Sequence, residues 1–274
     1  DMYLIRGIQN IDLFLSKHKD TELIATIGNF DGLHLGHQHI IENMQKDSEV
    51  NGWQKLVIFT EPHAREFFAE SLGTYEEKPP RIFPWSQKVK RLKELGVEYS
   101  FFLNFNNQLR KMTPEDFINN ILSRLSIRKL VIGDDFRFAA QRTGTLDDLV
   151  KAGSTNGFGV TAVPAVYYED ERASSTAIRE ALRVGDMKKA RGMLGRDYFI
   201  SGRVVRGLGI GKKLGFPTAN VNLNRRCAPV DGIFAAQVGG LAEKALDGVV
   251  SVGTRPTVGG IEPVSYTHLT LPTK

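Results

Sequence analysis

Cysteine is nearly absent: Cys227 is the one thiol among 274 residues. A lone thiol excludes an intrachain disulfide and a cysteine-built zinc cluster, and it suits a reducing compartment. Long apolar runs are missing too, so no segment reads as a membrane-crossing helix, and the opening residues lack a signal-peptide pattern. Neither sign of charge dominates, with 36 Lys and Arg against 31 Asp and Glu. The net charge of +5 and a pI near 9.2 suit polyphosphate ligands as well as nucleic acid. Repeats and low-complexity tracts are absent. The expectation is a soluble, cytoplasmic protein with no nucleic-acid or membrane partner; oligomeric state is not legible.

What is present is ordinary for a globular chain: 41% hydrophobic and 24% charged residues. The length allows one large or two ordinary domains. One stretch stands out, running Thr26-Ile27-Gly28-Asn29-Phe30-Asp31-Gly32-Leu33-His34-Leu35-Gly36-His37. It follows the apolar run Leu23-Ile24-Ala25 and leads into an amphipathic segment at 38–46, which reads as strand, glycine-punctuated turn and helix. A helix N-terminus presents N–H groups and partial positive charge, so it is a natural anion site. His34 and His37 can add donors there, and Gly36 permits close approach of a phosphate. Structural histidines or a metal pair are the alternatives, although zinc needs three or four ligands.

Further strands are expected at 2–5, 55–60, 97–103, 129–133 and 158–163, with a turn or helix near 13–15 and helices at 86–95 and from Thr113. Residues 71–84, with three prolines, read as loop. Thr113 is an expected N-cap with Pro114 in the first helical position, and Gly96 an expected helix stop. This alternation predicts a Rossmann-like, doubly wound parallel α/β sheet, whose ligands bind at the carboxyl ends of the strands. His34 and His37, Glu61 and His63, and Gly133-Asp134-Asp135-Phe136 all follow predicted strands there. Ser174 or Ser175 would cap a following helix that carries Arg179. A cation in a first helical turn opposes the helix dipole, a sign that a bound phosphate would reverse.

The character changes after Arg191. A strand is expected at 198–205, then a glycine loop, 206–215, bearing Arg206, Lys212 and Lys213, then Pro217-Thr218-Ala219-Asn220 and short β-like runs at 232–238 and 248–252. The loop matches neither a Walker A loop nor a dinucleotide fingerprint, but glycines and cations suit a flap over phosphates. Thr218 and Asn220 offer neutral hard oxygens fit for Mg²⁺ already carrying phosphate. A small, incomplete all-β barrel is expected, with domains at 1–188 and 189–274.

Taken together, these segments resemble the bacterial bifunctional riboflavin kinase/FMN adenylyltransferase (FAD synthetase) family. The resemblance rests on the turn 28–37, Phe59-Thr60-Glu61-Pro62-His63, Gly133-Asp134-Asp135-Phe136-Arg137-Phe138, Arg172-Ala173-Ser174-Ser175-Thr176-Ala177-Ile178-Arg179 and Gly215-Phe216-Pro217-Thr218-Ala219-Asn220. It implies ATP, FMN and riboflavin as substrates, with riboflavin phosphorylated to FMN and FMN adenylylated to FAD. His34, His37 and Arg179 would be the catalytic set. Gly28, Asn29, Phe30, Gly36, Arg172, Ser174, Ser175, Thr176 and Lys212 would hold ATP and its phosphates. Asp31, Glu61, His63, Asp135 and Phe136 would face the flavin, with Thr218 and Asn220 as Mg²⁺ ligands. Relatives often carry Asn where Asp135 stands.

The tail departs from the family's pattern. Glu262 is the only acid after Asp247, and the segment from Ser265 does not resemble the family's strand. A truncated frame or foreign tail is therefore expected, with adenylylation intact and kinase activity weak or absent. Two other readings remain at this stage: another His-x-Gly-His nucleotidyltransferase, acting on a nicotinamide nucleotide or phosphopantetheine, and a flavin- or nucleotide-binding regulator without turnover.

Overall fold

Five consecutive residues of one segment, Lys55 to Phe59, are buried, as in a strand covered on both faces. That segment is β3 (Gln54–Glu61), in a computed structural model that describes residues 2–74, 79–205, 218–223, 228–240, 242–255 and 264–270. Two units make up the chain: residues 1–79 with 84–174, and residues 80–83 with 175–274.

In the first unit, β1 (Tyr3–Arg6), β2 (Leu23–Ile27), β3, β4 (Tyr99–Asn104), β5 (Ile127–Gly133) and β6 (Gly159–Val163) form one sheet. Its order is β1-β4-β3-β2-β5-β6, and every pairing is parallel; after it, β7 (Tyr167–Tyr168) and β8 (Glu171–Arg172) form a short antiparallel ribbon. Alternate residues serve opposite layers: Leu56 and Ile58 join one core cluster, while Val57 and Phe59 join another. The connecting helices are α1 (Ile11–Lys17), α2 (Leu35–Asn51), α3 (Ala64–Leu72), α4 (Trp85–Glu94), α5 (Pro114–Asn120) and α6 (Leu146–Asn156). The expected doubly wound sheet is present. Its strand order reverses at β2, which has β3 on one side and β5 on the other, and ligands of such sheets bind at that crevice.

The cap chemistry is as the sequence predicts. Thr113 accepts from the backbone N–H of Asp116 with Pro114 opening α5, and Gly96 lies just past α4 at φ +74°. Helix α3 was not expected from the sequence. Its cap is a histidine: the His63 ring accepts from Arg65, and the Glu66 carboxylate accepts from the His63 N–H.

The second unit opens with α7 (Ser175–Arg183) and α8 (Met187–Leu194), which bury Ile178, Leu182, Met193 and Leu194. Segment 80–83, part of the expected proline-rich loop, belongs to this unit's interior: Ile82 and Phe83 are buried, with the Phe83 ring tilted against Phe199 at 4.7 Å and Tyr198 at 5.5 Å. A five-stranded antiparallel sheet follows, ordered β11-β12-β13-β10-β9. Its members are β9 (Arg203–Val205), β10 (Thr218–Asn222), β11 (Gly232–Val238), β12 (Leu246–Arg255) and β13 (Val264–Thr270). The expected strand at 198–205 shrinks to its last three residues. The tail expected to be foreign supplies β13, which pairs with both β10 and β12, and its β-branched and aromatic content, Val264, Tyr266, Thr267 and Thr270, suits a strand.

Candidate functional site

The turn after β2 is shaped by backbone strain. Phe30 at φ +53°, Gly32 at +80° and Leu33 at +45° are left-handed, and for the two non-glycine residues this conformation is costly. The turn reverses the chain and delivers it to α2 with His34 as N-cap, its backbone extended at φ −68° and ψ 174°. The first turn of α2 carries no carboxylate, so nothing on the helix offsets the positive end of its dipole.

His34 and His37 meet as the spacing predicts. Their rings stack with centroids 3.7 Å apart and planes 26° off parallel, and the Phe30 ring lies tilted against that of His37 at 4.7 Å. Gly36 makes this possible, since a Cβ there would lie 3.1 Å from Cε1 of His34. His34 is buried, and Nδ1 of His37 is sealed from solvent without a hydrogen-bond partner. Burial above all, then His34 and then Lys88, hold the His37 pKa well below its ordinary 6.5. His37 is therefore a neutral imidazole near neutral pH, able to donate or accept one hydrogen bond at each ring nitrogen according to tautomer.

A cavity of ≈ 170 Å³ opens on this pair. It is walled by Gly28, Phe30, His34, Gly36 and His37 after β2, Gly133 to Phe136 after β5, and Val163 to Val166 after β6, and is closed by Arg172, Ala173 and Ser174. These are the strand ends at the crevice where the sheet order reverses. Sites that enclose a whole small molecule run to about 300–1,000 Å³, so this volume matches part of a nucleotide, such as its polyphosphate.

Arg172 and Asp135 pair at this cavity, Nη1 to Oδ2 at 2.7 Å. The bond and charge of Arg172 lower the Asp135 pKa, and Asp135 in turn raises that of Arg172. Both side chains are more than a third exposed, at 59% and 43%, so the pair contributes no more than about 1 kcal/mol. A phosphate can take the guanidinium over at little cost. The resemblance places Arg172 on ATP phosphates and Asp135 on flavin; here the two occupy each other.

Other expected residues lie elsewhere. Asn29 accepts from Thr60 through its side chain, Asp31 is buried in the turn, and neither lines the cavity. Glu61 ends β3 and His63 caps α3, a structural use of the imidazole nitrogen that faces Arg65. Ser175, Thr176 and Arg179 belong to the second unit. Arg179 is the fifth residue of α7, not in its first turn, and its Nε donates to the carbonyl of Pro80 at 2.8 Å. The dipole argument for a phosphate there therefore lapses. Lys212 and the loop 206–215 lie outside the described residues. Of the Mg²⁺ pair, Asn220 sits in β10 in register with Val205 and His268, two positions beyond Thr218 at the strand's start. No group of three His, Cys, Asp or Glu suited to a metal ion occurs among the described residues.

Sequence reasoning missed two features of this edge. Lys88 of α4 donates to the carbonyl of Asn29 at 2.7 Å. Phe67, Phe68 and Phe105 form an edge-to-face cluster after β3 and β4, 5.4–6.0 Å between ring centres, with Arg110 over Phe68. Phe68 is 40% exposed despite these neighbours. Only the adjacent pair of phenylalanines ahead of Phe105 hinted at it.

Comparison with known proteins adds to this geometry. The family profile described as FAD synthetase matches residues 16–177, and the one described as riboflavin kinase matches 194–271. The chain is 40% identical over 269 residues to the bifunctional riboflavin kinase/FMN adenylyltransferase of Escherichia coli K12, covering 98% of this chain and 83% of that one. The protein of the same name from Pseudomonas fluorescens is 38% identical, with 94% and 80% covered. A crystal structure described as a macrolide-efflux protein from Streptococcus pneumoniae superposes with TM-score 0.79 at 25% identity, over 98% of this chain and 84% of that one. No helix among the described residues is long and apolar enough to cross a membrane.

Proposed function

This chain belongs to the bifunctional riboflavin kinase/FMN adenylyltransferase family, and from that premise we propose that its first unit transfers the adenylyl group of ATP to FMN at the His34–His37 crevice, while its second module is the riboflavin kinase, with the weakened turnover expected of its departing tail. In the first reaction a phosphate oxygen of FMN attacks the α-phosphorus of ATP. The bond from that phosphorus to the bridging oxygen breaks, and FAD and pyrophosphate leave. No covalent enzyme intermediate is needed, so the protein's task is to position the reactants and stabilise charge on phosphate oxygens. The observation that carries the reading is the stacked histidine pair at the dipole end of α2, inside a cavity sized for polyphosphate.

Each residue has a defined part. His37, kept neutral by burial, donates a hydrogen bond to a phosphate oxygen without adding a second charge beside His34. Gly28, Phe30 and Gly36 let the phosphates approach the backbone, and Arg172 exchanges Asp135 for a phosphate. Ser174 closes the cavity next to Arg172. Phe136 presents a ring to the cavity and suits the flavin side. Domain limits of 1–188 and 189–274 remain our division, and it separates the two family matches.

For Mg²⁺, the donor chemistry fits: Asn220 supplies a neutral oxygen, leaving the nucleotide's own phosphates as the main ligands. The ion, when bound, would neutralise phosphate charge during riboflavin phosphorylation. A cytoplasmic location accords with the single thiol.

The deciding assay supplies ATP with FMN, then ATP with riboflavin, and follows FAD, FMN and pyrophosphate by chromatography. FAD and pyrophosphate should appear together in the first mixture. His37→Ala should abolish FAD formation with the circular dichroism spectrum unchanged; undiminished turnover would remove the histidine pair from the mechanism.

A further inference from the structure

Helix α4 has several cations, and Lys88 is set apart from the rest by where its ammonium is held. Its Nζ donates to the backbone carbonyl of Asn29 at 2.7 Å and lies 4.6 Å from the ring centre of buried Phe59. A charge-assisted hydrogen bond and an aromatic face fix the charge in one place. The carbonyl it holds belongs to the peptide that leads into Phe30, the first of the left-handed residues. Strained backbone of that kind persists only where its surroundings over-determine it. Phe30 in turn packs on His37, so the restraint passes from Lys88 through one peptide and one ring to the imidazole.

We propose that Lys88 is a further positioning residue of the adenylyl-transfer site, clamping the Asn29–Phe30 peptide so that the turn presents His37 to the nucleotide; this rests on the adenylyltransferase reading given above. The same charge also acts through space. Lys88 stands with His34 among the groups that disfavour a proton on His37, and a field that repels an imidazolium attracts a phosphate. Lys88 therefore supports the site twice, by shape and by potential.

The test uses the full chain with Lys88→Met, which keeps the stem over Phe59 but loses the charge and the donor, and with Lys88→Arg, which keeps both. In Lys88→Met, kcat for FAD formation should fall about tenfold or more, as displaced catalytic groups typically cost, while KM for ATP changes less than about threefold. The His37 ring titration, followed by NMR, should move up in pH. Lys88→Arg should recover most of kcat and return the titration toward wild type. A Lys88→Met protein with wild-type kcat and an unmoved His37 titration overturns the proposal, as does a Lys88→Arg protein as impaired as Lys88→Met. Should Lys88→Met fail to fold, Lys88→Gln takes its place under the same criteria. If the wild-type chain forms no FAD, the adenylyltransferase reading fails, while the His37 titration still decides whether Lys88 acts on that ring.

Discussion

His37 links the chemistry of the site to the stability of the chain. Its pKa is lowered in the folded state, first by burial, then by His34 and Lys88. Below about pH 6.5 the unfolded chain takes up a proton that folded His37 refuses, so stability should fall as pH drops from there toward the lowered folded pKa. Thermal melts at pH 7.5 and 5.5 should show a loss that His37→Gln reduces, because glutamine has no proton to gain. An equal loss in both proteins would mean that other groups set the acid sensitivity. Asp135 and Arg172 behave differently: their pair is exposed and weak, so it guides the guanidinium without fixing it.

At the scale of elements, Gly36 shows which of two effects wins. Replacing a glycine by alanine gains roughly 1 kcal/mol in a helix interior and less at the second position of α2, where Gly36 stands. The new Cβ, however, would stand 3.1 Å from the His34 ring, and the ring must give way. Gly36→Ala should therefore leave the melting temperature within a few degrees of wild type, yet lower kcat for FAD formation by about tenfold or more. A fully active variant would show that the ring stacking is dispensable. Much of this site was legible beforehand, because strand, glycine turn and helix start are local patterns, and His34, Gly36 and His37 lie in one of them. Asp135 meeting Arg172 and Lys88 reaching Asn29 depend on sheet order and helix placement, which local pattern does not contain. Helix α3 was hidden for another reason: its cap is a histidine, outside the usual Ser, Thr, Asp and Asn. The strand at 264–270 lacks a clean apolar–polar alternation, since Leu269 is out of phase with Val264 and Tyr266, and only its β-branched and aromatic content marks it.

For the whole molecule, the division at residue 188 can be tested against packing. Phe83 packs tilted against Tyr198 and Phe199, with Arg196 over its ring. A fragment ending at residue 188 exposes that ring and also cuts α8 ahead of its buried Met193 and Leu194, whereas one ending at residue 200 keeps all three. Burying each such side chain contributes about 1.5–3 kcal/mol. The longer fragment should thus melt higher by about 10 °C or more; equal melting would place the working boundary at 188.

Segment 80–83 also determines how the chain comes apart. The polypeptide enters the second unit at Pro80, leaves it after Phe83, and enters again at Ser175. A protease that cuts between Ser174 and Ser175 would break the third crossing and leave segment 80–83 inserted. The two pieces should then travel together through a sizing column and part only in detergent or denaturant, as two peptides locked by four residues.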